Sequence, residues 1–293
     1  MSFNPAVSDD SLLSKSAAFA HRFQEPSFGP YHMITLSVLF IAGIVGGLLL
    51  GMIGVGMALV AVPVLTFTLP SLGVPHDLAP TVALATSMGI VTIGSVSSVV
   101  THHRLGNVDW SAFKLIVPFS LVGVLLGSLL VTRLPADVLR LIFAAFLVFV
   151  AVRMLLARKK AGSSGSVSAL TYRAAGSVIG FAGALIGAGG GVFMVPFLSG
   201  RGWQMVRAVA TSAAIGLPVT VFGVIFHGLR PLEGLDVPML GSLHWQALIG
   251  IGFGSLIGAP LGAKVANRLP SGILKKGFAV VLLILAVTLV LEG

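Results

Sequence analysis

Residues 185–198 read LIGAGGGVFMVPFL, and residues 52–65 read MIGVGMALVAVPVL. In both, a glycine cluster interrupts a long apolar run and a proline follows, Pro196 five residues after Gly191 and Pro63 seven after Gly56. A glycine inside a helix costs about 1 kcal/mol relative to alanine. Gly187, Gly189, Gly190 and Gly191 together therefore break a helix, and Gly54 and Gly56 do so more weakly, with Met57 and Ala58 where the second copy has two more glycines. Each proline removes a further backbone donor. Irregular backbone at membrane depth survives only where it is buried in protein or lines a wet cavity.

The two stretches are one block of a longer correspondence. ALATS at 83–87 answers AVATS at 208–212, and His102 falls opposite His227. GNVDW at 106–110 answers GSLHW at 241–245. Arg133-Leu134-Pro135 answers Arg268-Leu269-Pro270, each preceded by a Gly-x-x-x-Gly pair, Gly123/Gly127 and Gly258/Gly262. Blocks in the same order predict two sequence-related repeats, an arrangement that transporters use to build a site between their halves.

Composition sets the environment. Of 293 residues, 9% are charged and 56% hydrophobic, with a mean hydropathy of +1.04; soluble domains carry roughly 25% charged residues. This speaks against a cytosolic enzyme. The pI of about 10.7 does not imply nucleic-acid binding, because the basic residues lie singly between apolar runs rather than in a stripe with aromatics. There is no cysteine, which removes disulfides, thiolate metal sites and a cysteine nucleophile.

The predicted fold is an all-α polytopic membrane protein of two repeats, each with about four to five spans and a glycine-broken first segment. Apolar segments long enough for the bilayer lie near 34–69, 80–101, 112–132, 138–157, 171–199, 208–228, 245–266 and 273–291. They divide the chain into an N-terminal tail (1–33), a first membrane repeat (34–157), a basic Gly/Ser linker (158–170) and a second membrane repeat (171–293). The tail is read as retained, with Pro26 and Pro30 breaking the chain before the first span.

The 18 basic residues bear on orientation. If every segment crosses once, ten fall on one side and eight on the other. If segments 34–69 and 171–199 each turn back to the side where they began, the count becomes 13 against five. The second distribution obeys the positive-inside rule. Inverted repeats are therefore expected, with the 158–170 linker in the cytoplasm and both termini outside.

The glycine breaks are the first candidate for chemistry. Gly54, Gly56, Gly187, Gly189, Gly190 and Gly191 let a ligand approach main-chain N–H groups, and a helix starting after the break directs its positive end at an anion. Close helix packing through small residues is the alternative use of the same glycines. Thr86-Ser87 and Thr211-Ser212 add uncharged hydroxyl donors, although Ser and Thr in a span also bond their own helix carbonyls. All nine carboxylates fall in the tail, loops or span ends, which disfavours a cation pump. His102, His227 and Lys264 are candidates for substrate access or protonation; the adjacent pair His102-His103 is poorly arranged for a metal, and neither a metal nor a cofactor is expected.

A Gly-x-Gly-Gly-Gly run followed by an apolar stretch and proline, then Ala-x-Ala-Thr-Ser, with both blocks repeated across two halves, resembles the sulfite exporter TauE/SafE family. The resemblance covers residues 35–291 and is clearest at 187–196 and 208–212. It implies a transporter of sulfite, sulfonates or related organosulfur anions, without ATP-binding modules. The expectation is a non-enzymatic, multi-pass plasma-membrane (inner-membrane) transporter that exports a small sulfur-containing anion. Its partners are that anion and the lipid bilayer, not nucleic acid. A transporter of another small organic anion, and a membrane-embedded enzyme, are the competing readings.

Overall fold

The computed structural model describes residues 30–53, 57–156, 168–232, 237, 239–266, 280, 283–284 and 286–291, and these are almost entirely helical. In order they form α1 (Pro30–Ile53), α2 (Met57–Thr68), a short 3-10 turn (Pro70–Leu72), α3 (Ala79–Arg104), α4 (Trp110–Val131), α5 (Ala136–Leu156), α6 (Ala169–Leu185), α7 (Gly191–Ser199) and α8 (Met205–Gly228). A two-residue hairpin follows, β1 (Met239–Leu240) antiparallel to β2 (Leu243–His244), and then α9 (Trp245–Ala266). Residues 35–293 form one unit, and of residues 1–34 the described part is the start of α1. Pro30 begins α1 instead of breaking the chain before it; a proline at a first helical position loses no bond, since that N–H has no partner in the helix anyway.

Among the described residues, α3, α4 and most of α8 are each long and apolar enough to cross a membrane. The long segments 34–69 and 171–199 behave differently. The first divides into α1 and α2, with residues 54–56 outside the described residues, and the second into α6 and α7. At 1.5 Å per residue, the twelve residues of α2 and the nine of α7 reach about 18 and 14 Å, well short of the roughly 30 Å of a bilayer core. The rings of Tyr172, early in α6, and Phe197, late in α7, lie 6.3 Å apart. The later part of α7 thus lies beside the early part of α6. α2 is buried on every side, from Met57 through Pro63 and at Leu65 and Thr66, as expected of a helix that is apolar all round.

Glycine sets the closest helix contacts. A Cβ at Gly123 in α4 would overlap the Ser177 carbonyl of α6, and one at Gly180 in α6 would overlap the Ser120 carbonyl of α4. The same contact recurs between α1 and α9: a Cβ at Gly258 would overlap the Ile44 carbonyl, and one at Gly43 the Ile251 carbonyl. Gly123 and Gly258 are the first glycines of the two Gly-x-x-x-Gly pairs. α6 is therefore packed backbone-to-backbone on α4, and α1 on α9.

Two polar contacts give the relative direction of α4 and α8. Arg207 pairs with Asp109 at 2.6 Å, and Arg230 donates to Thr132 Oγ1 at 3.3 Å. The start of α8 thus lies beside the start of α4, and the end of α8 beside the end of α4. Arg207 and Arg201 stack over Trp203 and Phe197, the basic and aromatic pairing common at a membrane interface.

Replacing Gly123 by alanine is expected to destabilise the protein by about 1–3 kcal/mol, because the new methyl meets main-chain atoms that cannot rotate aside. Gly46→Ala, whose Cβ would make an ordinary contact with Val60 at 3.5 Å, is expected to be neutral or slightly stabilising. Thermal unfolding of the two purified variants checks the contrast.

Candidate functional site

The break between α6 and α7 is built on two left-handed glycines, Gly187 at φ +66° and Gly190 at φ +75°, a conformation that side chains resist. The Ala188 amide donates to the Gly183 carbonyl at 2.8 Å, closing α6. The Gly190 carbonyl accepts from the Phe193 and Met194 amides, both at 3.0 Å, opening α7. The Gly191 and Val192 amides start that helix and have no acceptor within it.

At this helix start lies a cavity of about 60 Å³, roughly the volume of two water molecules in the liquid. Gly189, Gly191 and Val192 line it from the break and α7, Ser212 and Gly216 from α8, Ser95 and Ser98 from α3, and Ala58 and Leu59 from the start of α2. Both halves of the chain therefore contribute. The Ser212 side chain is 2% exposed, and its Oγ has no hydrogen-bond partner. A Cβ at Gly191 would sit 3.5 Å from that oxygen. Among the described residues, no ionisable side chain lines the cavity. Its polar groups are hydroxyls and a helix N-terminus, an arrangement that favours a small anion over a cation.

The residues singled out from the sequence divide accordingly. Gly189, Gly191 and Ser212 meet at the cavity. Gly187 instead packs on Leu84 of α3, and Gly190 on Ile179 of α6. Thr86, Ser87 and Thr211 are buried but outside the cavity lining. Thr211 Oγ1 accepts the Asp109 amide at 2.9 Å, and Thr86 Oγ1 accepts the His244 amide at 3.0 Å. His102 and His227 occupy the last turns of α3 and α8 and do not line the cavity, although each has a buried Nδ1 without a partner. Gly54 and Gly56 lie outside the described residues, as does the side chain of Lys264 in α9. Ser95 and Ser98 were missed. Their signal is the three-residue spacing that puts both hydroxyls on one face of α3.

A larger cavity, about 660 Å³, opens where the ends of α4 and α8 meet. It carries Arg140 and Arg230 together with Asp77 and Asp137. Arg140 is already engaged, by Asp137 at 3.4 Å and the His76 carbonyl at 3.0 Å. Its opposed charges fit a solvated vestibule better than a selective anion site.

The sulfite exporter TauE/SafE family profile matches residues 39–289, which takes in α2 to α9 and most of α1. The chain belongs to the sulfite exporter TauE/SafE family. Relatives called probable membrane transporter proteins include one from Haemophilus influenzae, 34% identical over 264 residues that cover 89% of this chain and all of the relative. One from Methanocaldococcus jannaschii is 26% identical over 81% of this chain and 88% of its own length. YdhB of Bacillus subtilis is 26% identical over 83% and 94%. No solved structure matches the chain. With its apolar helices, this membership makes the protein a multi-pass helical membrane protein of a transporter family. The match spans both glycine blocks and both Ala-Thr-Ser blocks, so the cavity lies wholly within the TauE/SafE region.

The backbone at the break separates two neighbouring glycines. Gly190→Ala is expected to cost about 1–2 kcal/mol, since it forces a side chain into the left-handed region against Ile179. Gly191→Ala sits in α7 with ordinary clearance and is expected to leave the unliganded protein as stable as the parent or slightly more so. Melting temperatures of the purified variants check the ordering.

Proposed function

We propose that this protein is a secondary transporter or facilitator that exports a small sulfur-containing oxyanion, such as sulfite or an organosulfonate, across the plasma membrane. The cavity between the halves carries the reading: the amides of Gly191 and Val192, the unpartnered Ser212 hydroxyl and the Ser95 and Ser98 side chains converge where no ionisable group is present. The family's name supports sulfite as the cargo. Another small organic anion would use the same donors. A membrane-embedded enzyme is less well supported, because the described residues of the cavity lining offer no base to activate a nucleophile.

The arrangement between the halves is that of inverted repeats. The Arg207–Asp109 and Arg230–Thr132 contacts support it, since single crossings throughout would put the partners of each pair on opposite faces of the membrane. The nearness of Tyr172 and Phe197 supports re-entry of the segment containing α6 and α7. The end bearing Arg104, Lys114, Arg201 and Arg207 is cytoplasmic under the positive-inside rule, and the large vestibule then faces outside. This orientation predicts that an impermeant thiol reagent applied to intact cells labels a Ser71→Cys variant and not a Ser164→Cys variant. Labelling of Ser164→Cys from outside overturns it.

Transport itself is tested by counterflow of labelled sulfite in proteoliposomes, where uptake is expected with the parent protein and not with Gly191→Ala, whose methyl occupies the cavity. Ser212→Ala is expected to weaken sulfite binding by about 1–3 kcal/mol, the range for a hydrogen bond to a charged group, read as reduced sulfite-dependent thermal stabilisation. Sulfite stabilisation of both variants equal to that of the parent rejects the cavity as the binding site.

A further inference from the structure

The two threonines withdrawn from the cavity form a matched pair of contacts between the halves. Asp109 closes GNVDW and immediately precedes α4; His244 occupies the same place in GSLHW and immediately precedes α9. The Asp109 amide donates to Thr211 Oγ1 of AVATS, and the His244 amide to Thr86 Oγ1 of ALATS. Each residue also caps its own helix three positions on. Asp109 Oδ1 accepts the Ala112 amide at 3.0 Å, and His244 Nδ1 accepts the Ala247 amide at 3.2 Å. The Ala-Thr-Ser helix of each half thus holds the start of a helix from the other half. Both threonines are fully buried, and the two ties lie at opposite ends of α8. The Asp109 tie is at the basic end, where Arg207 reinforces it. The His244 tie is at the end that carries the large vestibule, beside Ser242.

We propose that these two ties are the opposing gates of the transport path, with Asp109 and His244 as positioning residues. The Asp109–Thr211 tie keeps the basic end shut and the His244–Thr86 tie keeps the other end shut. Each threonine is followed by the serine of its pair, so a tie also sets the orientation of Ser212 or Ser87. Parting either amide from its fully buried hydroxyl acceptor leaves that hydroxyl unsatisfied unless water replaces the lost partner. A tie therefore opens only as water enters from its own end, and the dry packing at the far end keeps the other tie closed. Both ties are made in this structure, and the small cavity lies between the halves they join.

The proposal relies on the transporter reading only for which end faces the cytoplasm; its test needs no substrate. The chain has no cysteine, so Ser98→Cys places a single thiol at the cavity. Its modification by a small impermeant thiol reagent is followed from each side of oriented vesicles. Thr211→Val keeps the shape but removes the acceptor, and is expected to raise labelling at least about fivefold from the basic end alone. Thr86→Val is expected to do the same from the other end alone. Thr211→Ser and Thr86→Ser, which keep the acceptor, are expected to return both rates to the parent value. Labelling unchanged in both valine variants, or raised equally from both sides, overturns the proposal.

A second measurement covers a valine variant that fails to fold. The Asp109→Cys/Thr211→Cys pair, cross-linked by oxidation, is expected to make Ser98→Cys unreactive from the basic end and to restore its reactivity on reduction, with labelling read by mass spectrometry on the peptide containing position 98 alone. Cross-linking that leaves this reactivity unchanged overturns the proposal. Shifts in labelling from each side without any sulfite counterflow reject the cargo and leave the gates standing; counterflow without such shifts does the reverse.

Discussion

A backbone amide or carbonyl left without a partner in hydrocarbon costs several kcal/mol, and the break at residues 186–190 interrupts a helix in the interior of an apolar protein. The segment answers part of that constraint itself, its Gly187 and Ala188 amides donating to the Ala184 and Gly183 carbonyls, and the surrounding helices pack closely on it. Gly187 lies against the Leu84 backbone of α3, Gly189 against the Gly216 backbone of α8, and Gly190 against Ile179 of α6, approaches close enough that a Cβ would obstruct each. α3 and α8 are thereby fixed beside the break, and they carry the two Ala-Thr-Ser blocks. The outer helices then close on one another through glycine, α4 against α6 and α1 against α9. Such close packing matters more in a membrane than in water, because lipid provides no hydrophobic drive for helices to associate.

The break also ties fold to function. Interrupting the helix frees the amides of Gly191 and Val192, and burying the interruption keeps competing water away from them. Under the proposed function, an anion held there would gain from the helix dipole with no lysine or arginine among the described lining residues, which would leave the site free to release its cargo on either side. The serines of α3 and α8 complete a neutral set of donors. The exposed arginines at the two ends lie outside the described cavity lining, where under the proposed function their charge would draw anions toward the protein.

Much of this was legible in the sequence because glycine and proline carry position-specific meaning. The run at 187–191 marked the break, and the paired Gly-x-x-x-Gly motifs marked the helix contacts at Gly123 and Gly258. The matched blocks placed Asp109 and His244, and likewise Thr211 and Thr86, in corresponding motifs, which the two amide-to-hydroxyl contacts join crosswise. The partition of roles within each block was not legible. In Thr211-Ser212 the consecutive residues point to different neighbours, and only the packed helices decide that Ser212 faces the cavity while Thr211 faces Asp109. Asp109 and His244 sat in matched motifs, yet as a carboxylate and an imidazole they gave no hint that their main-chain amides make the contact. Gly190 was taken as a donor to the anion. Its left-handed backbone and its packing on Ile179 give it the task of turning the chain.

The most direct measurement is the anomalous scattering of selenite, a pyramidal oxyanion like sulfite, diffused into crystals of the protein. A selenium peak within reach of the Gly191 amide and Ser212 Oγ is the predicted result. A peak confined to the arginines of the large vestibule, with the cavity empty at saturating selenite, would contradict the account.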